Sequence, residues 1–191
     1  MLHKIRGIVL KTTLYSETSV IVQVFTDKFG IQSYLINGVK KPKAKIPMNI
    51  LQPLHLLEMV VYHKISTQIQ RVAEARPMPV FKTIPYDVVK NTIVQFLNEV
   101  LYKSIRQQHS DENLFDFIYN ATNRYEKANA YLEAMYSNDK EYLPTEEDKI
   151  AVKNSTDITE YSSSKAYDSF YQLVTKYPES DFVNEAFLRL A

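Results

Sequence analysis

Four lysines within six positions are the first candidates for chemistry in this sequence. The segment carries Lys40, Lys41, Lys43 and Lys45, and no acidic residue interrupts them. Ammonium groups on an exposed segment suit contacts with phosphates, which carry no information about base identity. Pro42 and Pro47 disfavour a helix here, so we expect an extended and mobile loop. A solvated basic turn without a ligand is the alternative interpretation.

Further cations in the first eighty residues extend this candidate phosphate-binding surface. They are Arg6, Lys11, Lys64, Arg71 and Arg76. Aromatic side chains would add flat faces on which unpaired bases can stack. The stacking candidates are Phe29, Tyr34 and Tyr62. Aromatic residues in strands more often belong to the core, which is the alternative for all three.

The net charge of +1 conceals an uneven distribution along the chain. Residues 1–80 hold eleven Lys and Arg against four Asp and Glu, a net charge of +7. Residues 121–191 hold eight against thirteen, a net charge of −5. A basic first part attracts phosphate backbones through long-range electrostatics and counterion release. A net charge of this size can also serve solubility alone.

Residue types that catalysis requires are sparse. The sequence has no Cys, which excludes disulfides, thiolate metal sites and Cys nucleophiles. His55 and His63 lie eight residues apart and could share one strand face, but no further metal ligands accompany them. The three glycines, Gly7, Gly30 and Gly38, do not have the spacing of a phosphate-binding loop or of a dinucleotide motif. We therefore expect no enzyme activity, no metal and no cofactor.

Hydrophobic alternation places the basic candidates on a β-rich domain over residues 1–80. Five strands are predicted there: Ile5–Leu10, Ser19–Thr26, Ile31–Val39, Leu54–Tyr62 and Gln68–Ala75. Gly30 can supply a positive φ in the turn that follows the second strand. Five short strands without an intervening helix favour a small closed barrel, and we expect the OB-fold.

Helical periodicity follows over residues 81–136, the predicted helical domain. A helix is expected over Tyr86–Gln107, with Pro85 in its first turn and Ser110 as the N-cap of the next helix. Its predicted buried stripe is Val89, Ile93, Phe96, Val100 and Leu101. The next stripe runs at spacings of three and four through Leu114, Ile118, Ala121, Tyr125, Ala128, Leu132 and Met135.

The remaining residues predict a linker and a short helical hairpin. Residues 137–161 are rich in acidic and small polar residues, which is typical of a linker with at most a short helix. Residues 162–191 show two apolar stripes separated by Pro178, so a helical hairpin is expected there. No apolar run is long enough to span a membrane, and no secretory signal is visible, so we expect a cytoplasmic protein.

Long stretches of the first 120 residues resemble the DNA repair protein RecO family. The similarity lies in MLHKIRGIVLKTTLYSETSVIVQVFTDKFG, QSYLINGVKKPKAKIPMNILQPLHLLEMVVYHK and IPYDVVKNTIVQFLNEVLYK. It implies an OB-fold followed by a helical domain, binding of single- and double-stranded DNA, and annealing of complementary strands. It also implies work with RecR and single-stranded-DNA-binding protein to load RecA, without nuclease activity or nucleotide hydrolysis. The four lysines fall inside the second stretch.

Beyond about residue 120 this resemblance ends. Residues 164–191 are instead similar to a tetratricopeptide-type helix pair, as in the outer-membrane assembly lipoprotein BamD. BamD proteins are lipidated at a Cys, which this sequence lacks, so the similarity implies nothing about location. The expected fold is thus α+β: an amino-terminal five-stranded OB-fold barrel, then a helical region that ends in a tetratricopeptide-like helix pair.

Three functions follow from these observations. The first is a DNA-binding recombination and repair mediator of the RecF pathway that binds and anneals strands and assists RecA loading. The second is a protein-interaction adaptor that uses the helical tail, with the barrel as a secondary or relic module. The third is RNA binding by the same barrel, because phosphate contacts do not distinguish the sugar.

Overall fold

The structure is a computed structural model that describes residues 1–78, 81, 86–105, 111–153 and 158–176. Its strands are β1 (Leu2–Leu14), β2 (Val20–Thr26), β3 (Gly30–Ile36), β4 (Leu56–Tyr62) and β5 (Ile69–Pro77). Its helices are α1 (Val88–Ser104), α2 (Glu112–Ser137), α3 (Glu146–Lys153) and α4 (Ile158–Lys176). The described residues also include the 3₁₀ turns Met48–Leu51 and Lys140–Tyr142.

The five strands form a closed barrel in the order β1-β2-β3-β5-β4, which confirms the predicted OB-fold. Four of the pairings are antiparallel, and β3 pairs with β5 in parallel. β1 supplies both sides of the closure, because Leu2–Ile8 pairs with β4 whereas Gly7–Leu14 pairs with β2. A register shift between Val9 and Lys11 bends this long strand from one neighbour to the other.

Alternate side chains of the strands fill the barrel interior. The fully buried members include Val9, Val22, Val24, Tyr34, Leu57 and Val61. Gly7 stands where β1 passes β2 and β4, and a Cβ atom there would lie 2.4 Å from Val24 Cγ1. Only a residue without a side chain fits this close approach.

Two connections fix the barrel. The turn between β2 and β3 uses Gly30 at a φ of +64°, as predicted, and Thr26 Oγ1 donates to the Gly30 carbonyl at 2.8 Å. Between β3 and β4, the 3₁₀ turn Met48–Leu51 buries Ile50 and Leu51 in the barrel core. Thr12 Oγ1 donates to the Leu51 carbonyl at 2.7 Å, which ties this turn to β1.

The chain divides into two compact units. The first comprises Met1–Val80 with Thr92–Tyr119, and the second comprises Phe81–Asn91 with Asn120–Ala191. The barrel therefore shares its unit with a helical part of the chain.

The buried face of α1 differs from the predicted stripe. Val94 and Leu97 are buried, whereas Phe96 and Val100 of the predicted stripe are exposed. Asn98 is also buried and donates to the Leu10 carbonyl of β1 at 2.7 Å. Because Asn98 is polar, the apolar pattern of the sequence did not identify this face of α1 as the buried one. Asn98 can be buried because its amide has a backbone acceptor.

The predicted stripe of α2 is confirmed. Ala121, Tyr125 and Ala128 are buried, and the helix is continuous over 26 residues. Asp111 Oδ1 accepts from the Leu114 backbone N–H at 2.9 Å, so Asp111 is the N-cap of α2. Ser110, the predicted N-cap, and Pro85 lie outside the described residues.

A buried carboxylate organises the second unit. Asp148 of α3 accepts hydrogen bonds from Tyr131 of α2 at 2.9 Å and from Tyr161 of α4 at 2.8 Å. Thr145 caps α3, and its Oγ1 accepts from the Asp148 backbone N–H at 3.1 Å. The segment expected to be a linker thus contains a short helix whose carboxylate joins three helices.

The helical hairpin predicted for the tail is only partly described. α4 covers its first helix, and Ala166 of α4 packs with Ala134, Leu143 and Val152 in one cluster. The second helix of the hairpin, with Pro178 before it, falls outside the described residues. The domain boundaries at residues 136 and 161 stay predictions. None of the described helices is long and apolar enough to cross a membrane.

Candidate nucleic-acid interface

The segment Val39–Ile46, here called the lysine segment, is held at both ends by the barrel core. Val39 is 3% exposed and Ile46 is 6% exposed, and both belong to the main apolar cluster. Lys40, Lys41 and Lys43 between them are exposed. Apolar burial at the two ends therefore directs the intervening ammonium groups towards solvent.

The backbone of the lysine segment is turned rather than extended, which corrects the sequence expectation. Lys41 N–H donates to the Gly38 carbonyl at 3.2 Å, and Ala44 N–H donates to the Lys41 carbonyl at 3.1 Å. Gly38 begins the first turn with a φ of +73°, and Val39 N–H donates to the Thr18 carbonyl at 2.9 Å. These bonds present the lysines on a fixed turn and not on a free strand.

The charges of three lysines are uncompensated within the described part of the chain. No described carboxylate lies within ion-pair distance of Lys40, Lys41 or Lys43. Lys45 differs, because its Nζ lies 3.3 Å from Glu74 Oε1 on β5. The segment thus combines three available cations with one that has an acidic neighbour.

Arg6 has a structural role that the sequence does not reveal. Its guanidinium lies 3.3 Å from Asp27 and 2.8 Å from Asp116, and it rests over the rings of Phe115 and Tyr119. Burial lowers the pKa of Arg6, but the hydrogen bond from its side chain to Asp27 and the charge of Asp116 outweigh burial and raise it. Because two carboxylates compensate this charge, Arg6 is left out of the proposed interface.

Arg76 on β5 also has an acidic partner. Its Nε donates to Glu58 Oε2 on the neighbouring strand β4 at 3.0 Å. This hydrogen bond lowers the pKa of Glu58; partial burial opposes it, and the charges of Arg76 and Lys4 add to it. Nη2 of Arg76 also donates to Glu58 Oε2, and the Arg76 side chain as a whole remains 67% exposed.

Lys11, Lys64 and Arg71 are exposed on other parts of the barrel. Lys11 Nζ lies 5.1 Å from the centre of the Tyr102 ring, within range of a cation–π contact. Lys64 and Arg71 flank the hairpin between β4 and β5, where Arg71 is the register partner of Tyr62. The buried Gln70 closes this hairpin by accepting from Lys64 N–H at 2.9 Å and donating to the Lys64 carbonyl at 2.8 Å.

The three aromatic candidates have different surroundings. The stacking role predicted for Tyr34 is wrong, because its side chain is fully buried in the barrel core, where burial raises its pKa. Phe29 is half-buried, and His63 covers one face of its ring with a centroid distance of 3.9 Å. Tyr62 is 47% exposed and offers the most accessible ring of the three.

A cluster of His3, Phe29 and His63 was not anticipated from the sequence. The rings of His3 and Phe29 meet edge to face at 5.3 Å, and those of His3 and His63 lie 6.2 Å apart. The pairing of His3 with Val61, two residues before His63, is the register that brings the histidines together. Burial lowers the pKa of His63, and the charges of His3 and the amino terminus lower it further.

His55 and His63, which could have shared one strand face, lie at opposite ends of β4 and outside the strand. His55 is buried and precedes β4, whereas His63 follows that strand. In the described residues, no group of three His, Asp or Glu side chains has the arrangement that a metal ion needs.

An open groove of about 580 Å³ runs along the outer wall of the barrel, and we call it the β4–β5 groove. Its lining residues are Lys4, Lys45, Glu58, Met59, Val60, Glu74, Ala75 and Arg76. The groove joins the end of the lysine segment to the charged residues of three strands. It therefore gives the basic surface a continuous depression with cations and carboxylates side by side.

The first part of the chain is similar to known proteins of DNA recombination and repair. Residues 1–81 match the family model described as "Recombination protein O N terminal". The chain is 36% identical over 118 residues to the DNA repair protein RecO of Bacteroides fragilis, covering 62% of this chain and 49% of that protein.

Two further relatives carry the same description. The DNA repair protein RecO of Azobacteroides pseudotrichonymphae is 33% identical over 138 residues, which cover 72% of this chain and 56% of the relative. The DNA repair protein RecO of Porphyromonas gingivalis is 35% identical over 115 residues, with coverages of 59% and 47%. The chain thus spans about half the length of the curated relatives that it matches.

Proposed function

We propose, from the premise that residues 1–81 form a RecO N-terminal domain, that the chain binds DNA and serves in recombination and repair. The observation that carries the proposal is the lysine segment, whose three exposed lysines lack an acidic partner among the described residues. A fixed row of uncompensated ammonium groups attracts a polyanion and releases its condensed counterions.

The proposed contacts are with the phosphate backbone. Lys40, Lys41 and Lys43 supply the main cations, since their ammonium groups act as compact charges without base preference. Lys11, Lys45, Lys64, Arg71 and Arg76 extend the surface around the barrel. Binding of this kind accepts any sequence and weakens steeply as salt is added.

Annealing follows from the same electrostatics. Two complementary strands repel each other, and cations that neutralise their phosphates reduce this repulsion while bases search for partners. The proposed activity needs no bond cleavage and no cofactor, because base pairing itself supplies the driving force. Assistance to RecA, together with RecR and single-stranded-DNA-binding protein, is proposed from the family resemblance alone.

Among the candidate aromatic residues that the structure describes, Tyr62 is the most accessible partner for an unpaired base. Tyr62 is exposed, and its register partner Arg71 can contact the adjoining phosphate. Stacking on one ring favours a single strand over a duplex, whose bases are already stacked. Phe29 could offer a base only the ring face that His63 does not cover.

The test compares two triple variants of the full chain for binding to a labelled oligo(dT). The first is Lys40→Ala, Lys41→Ala and Lys43→Ala. We expect at least a tenfold loss of affinity at low salt and a salt slope that is smaller by about 2 to 3. The control is Lys103→Ala, Lys165→Ala and Lys176→Ala, which removes three exposed lysines elsewhere and changes the net charge equally.

Equal losses in the two triple variants would contradict the proposal, since binding would then follow net charge alone. A parallel titration with an RNA of matched sequence separates DNA binding from the RNA alternative. Tighter binding of the RNA would overturn the assignment of DNA as the ligand.

A further inference from the structure

Two carboxylates lie beside the cations of the proposed interface. Glu74 accepts from Lys45 Nζ at 3.3 Å, and Glu58 accepts from Arg76 Nε at 3.0 Å. Lys4 Nζ lies 3.9 Å from Glu58 as well. Each carboxylate is therefore paired with a cation that a bound phosphate would also contact.

Both ion pairs line the β4–β5 groove. The strand register places them next to each other, because Glu58 is opposite Arg76 and Val60 is opposite Glu74. Alternate residues of a strand share one face, so Glu74 and Arg76 both project from the outer wall of β5. A strand of nucleic acid that follows the lysine segment into the groove meets both pairs.

The pair of Lys45 and Glu74 is open to solvent. Its two side chains are 71% and 66% exposed. Ion pairs in water contribute little to stability, because solvent and salt screen the attraction. A phosphate that carries a full charge can therefore replace the carboxylate without disturbing the fold.

We propose that Glu74 and Glu58 limit the affinity of the barrel for the DNA backbone by competing with phosphate for Lys45 and Arg76. This inference rests on the proposed function, since it assumes that this face binds a polyanion. A bound strand takes the place of each carboxylate, and the displaced carboxylate then repels the neighbouring phosphate. The competition weakens binding and speeds release, which suits a protein that must leave the duplex after strands have paired.

The decisive variant is Glu74→Gln in the full chain, measured by salt-dependent binding to labelled oligo(dT). We expect about threefold tighter binding at low salt and a salt slope that is steeper by about one, because one more cation becomes available to phosphate. Glu58→Gln should act in the same direction, with a larger effect because Glu58 holds two cations.

Glu99→Gln is the matched control for general electrostatics. Glu99 pairs with Lys103 on α1 at 2.7 Å, and the two side chains are 65% and 72% exposed, nearly as in the Glu74 pair. Both substitutions raise the net charge by one. Equal affinities of Glu74→Gln and Glu99→Gln would overturn the inference.

The outcomes separate the two proposals. If the unmodified chain binds oligo(dT) and the Glu74 variant binds no better than the control, only the competition by carboxylates is wrong. If the unmodified chain does not bind oligo(dT) at low salt, the proposed function fails and the inference fails with it.

Discussion

Val39 and Ile46 stand seven positions apart in the sequence, and both insert into the same barrel core while the four lysines between them face solvent. This arrangement makes the lysine segment part of the domain and not an appendage. The position of the ammonium groups depends on two buried aliphatic side chains. Stability and polyanion binding should therefore change together when either anchor is removed.

The anchor prediction is tested with Ile46→Ala. We expect the free energy of unfolding to fall by about 3 kcal/mol, because the substitution removes buried methyl and methylene groups and leaves a cavity. Binding of oligo(dT) should weaken as well. Ile65→Ala is the control. Ile65 is 99% exposed, so this substitution makes the same chemical change at the surface. Urea unfolding of both variants checks the prediction, and similar losses in the two would contradict it.

The aromatic prediction contrasts Tyr62 with Tyr34. Tyr62→Ala should weaken binding of a single strand by about fivefold or more, because one stacking contact with a base is lost. Tyr34→Phe should leave binding unchanged, since Tyr34 is fully buried. Its hydroxyl has no hydrogen-bond partner among the described residues, so this variant should also be as stable as the original. Fluorescence anisotropy and urea unfolding measure both properties; weakened binding by Tyr34→Phe would contradict the assignment.

The strand-crossing prediction concerns Gly7. Gly7→Ala should destabilise the barrel by about 1 to 3 kcal/mol, because the new Cβ would lie 2.4 Å from Val24 Cγ1. Combining it with Val24→Ala should recover part of the loss, since the obstructing methyl groups are then absent. A double-mutant cycle by urea unfolding measures this coupling. Strict additivity of the two substitutions would show that the close approach is not the cause.

The alkaline prediction concerns Asp148 and its tyrosine partners. Burial, the hydrogen bond to Asp148 and the charge of Asp148 raise the pKa of Tyr161 to about 12. An unfolded chain ionises this phenol near pH 10, so the stabilisation is complete below about pH 10 and is lost as the pH rises through about 12. Thermal unfolding at increasing pH, with tyrosinate absorbance as the monitor, should show this decline.

Tyr161→Phe removes that titration and should make the decline shallower. The exposed Tyr15→Phe is its control. Tyr131 remains in both variants, and its pKa is also raised by burial and by Asp148, so part of the decline should persist. An unchanged pH dependence in Tyr161→Phe would contradict the role of the hydrogen bond to Asp148.

The strands were predictable because their apolar residues alternate or run continuously and because Gly30 marks a turn. The same alternation could have shown that Tyr34 is buried, since Tyr34 and Ile36 share the inner face of β3. The lysine segment was visible from its composition. Its turned backbone was not, because the hydrogen bond from Val39 to Thr18 joins residues that only the fold brings together.

Ion pairs between residues distant in the sequence are the features of the candidate site that the sequence could not reveal. Arg6 looks like a free cation in the sequence, and its two acidic partners lie on the β2–β3 turn and on α2. Nothing in the sequence indicates that Glu58 and Glu74 belong to the site. The fold places Glu58 beside Arg76 and Glu74 beside Lys45. The inner face of α1 was missed for a related reason. Asn98 is a polar residue, and it is buried there because its amide donates to the Leu10 carbonyl of a distant strand.

The division of β1 between two neighbours has a consequence for synthesis on the ribosome. Its second half can pair with β2 as soon as that hairpin emerges, but Leu2 must wait for Tyr62, some sixty residues later. Until β4 leaves the exit tunnel, the first half of β1 is an open edge with unpaired backbone groups. A nascent chain stalled before that point would expose an unpaired strand edge. The edges of β3 and β4 stay open until β5 has also emerged, so the barrel closes only once the chain through Pro77 has left the tunnel.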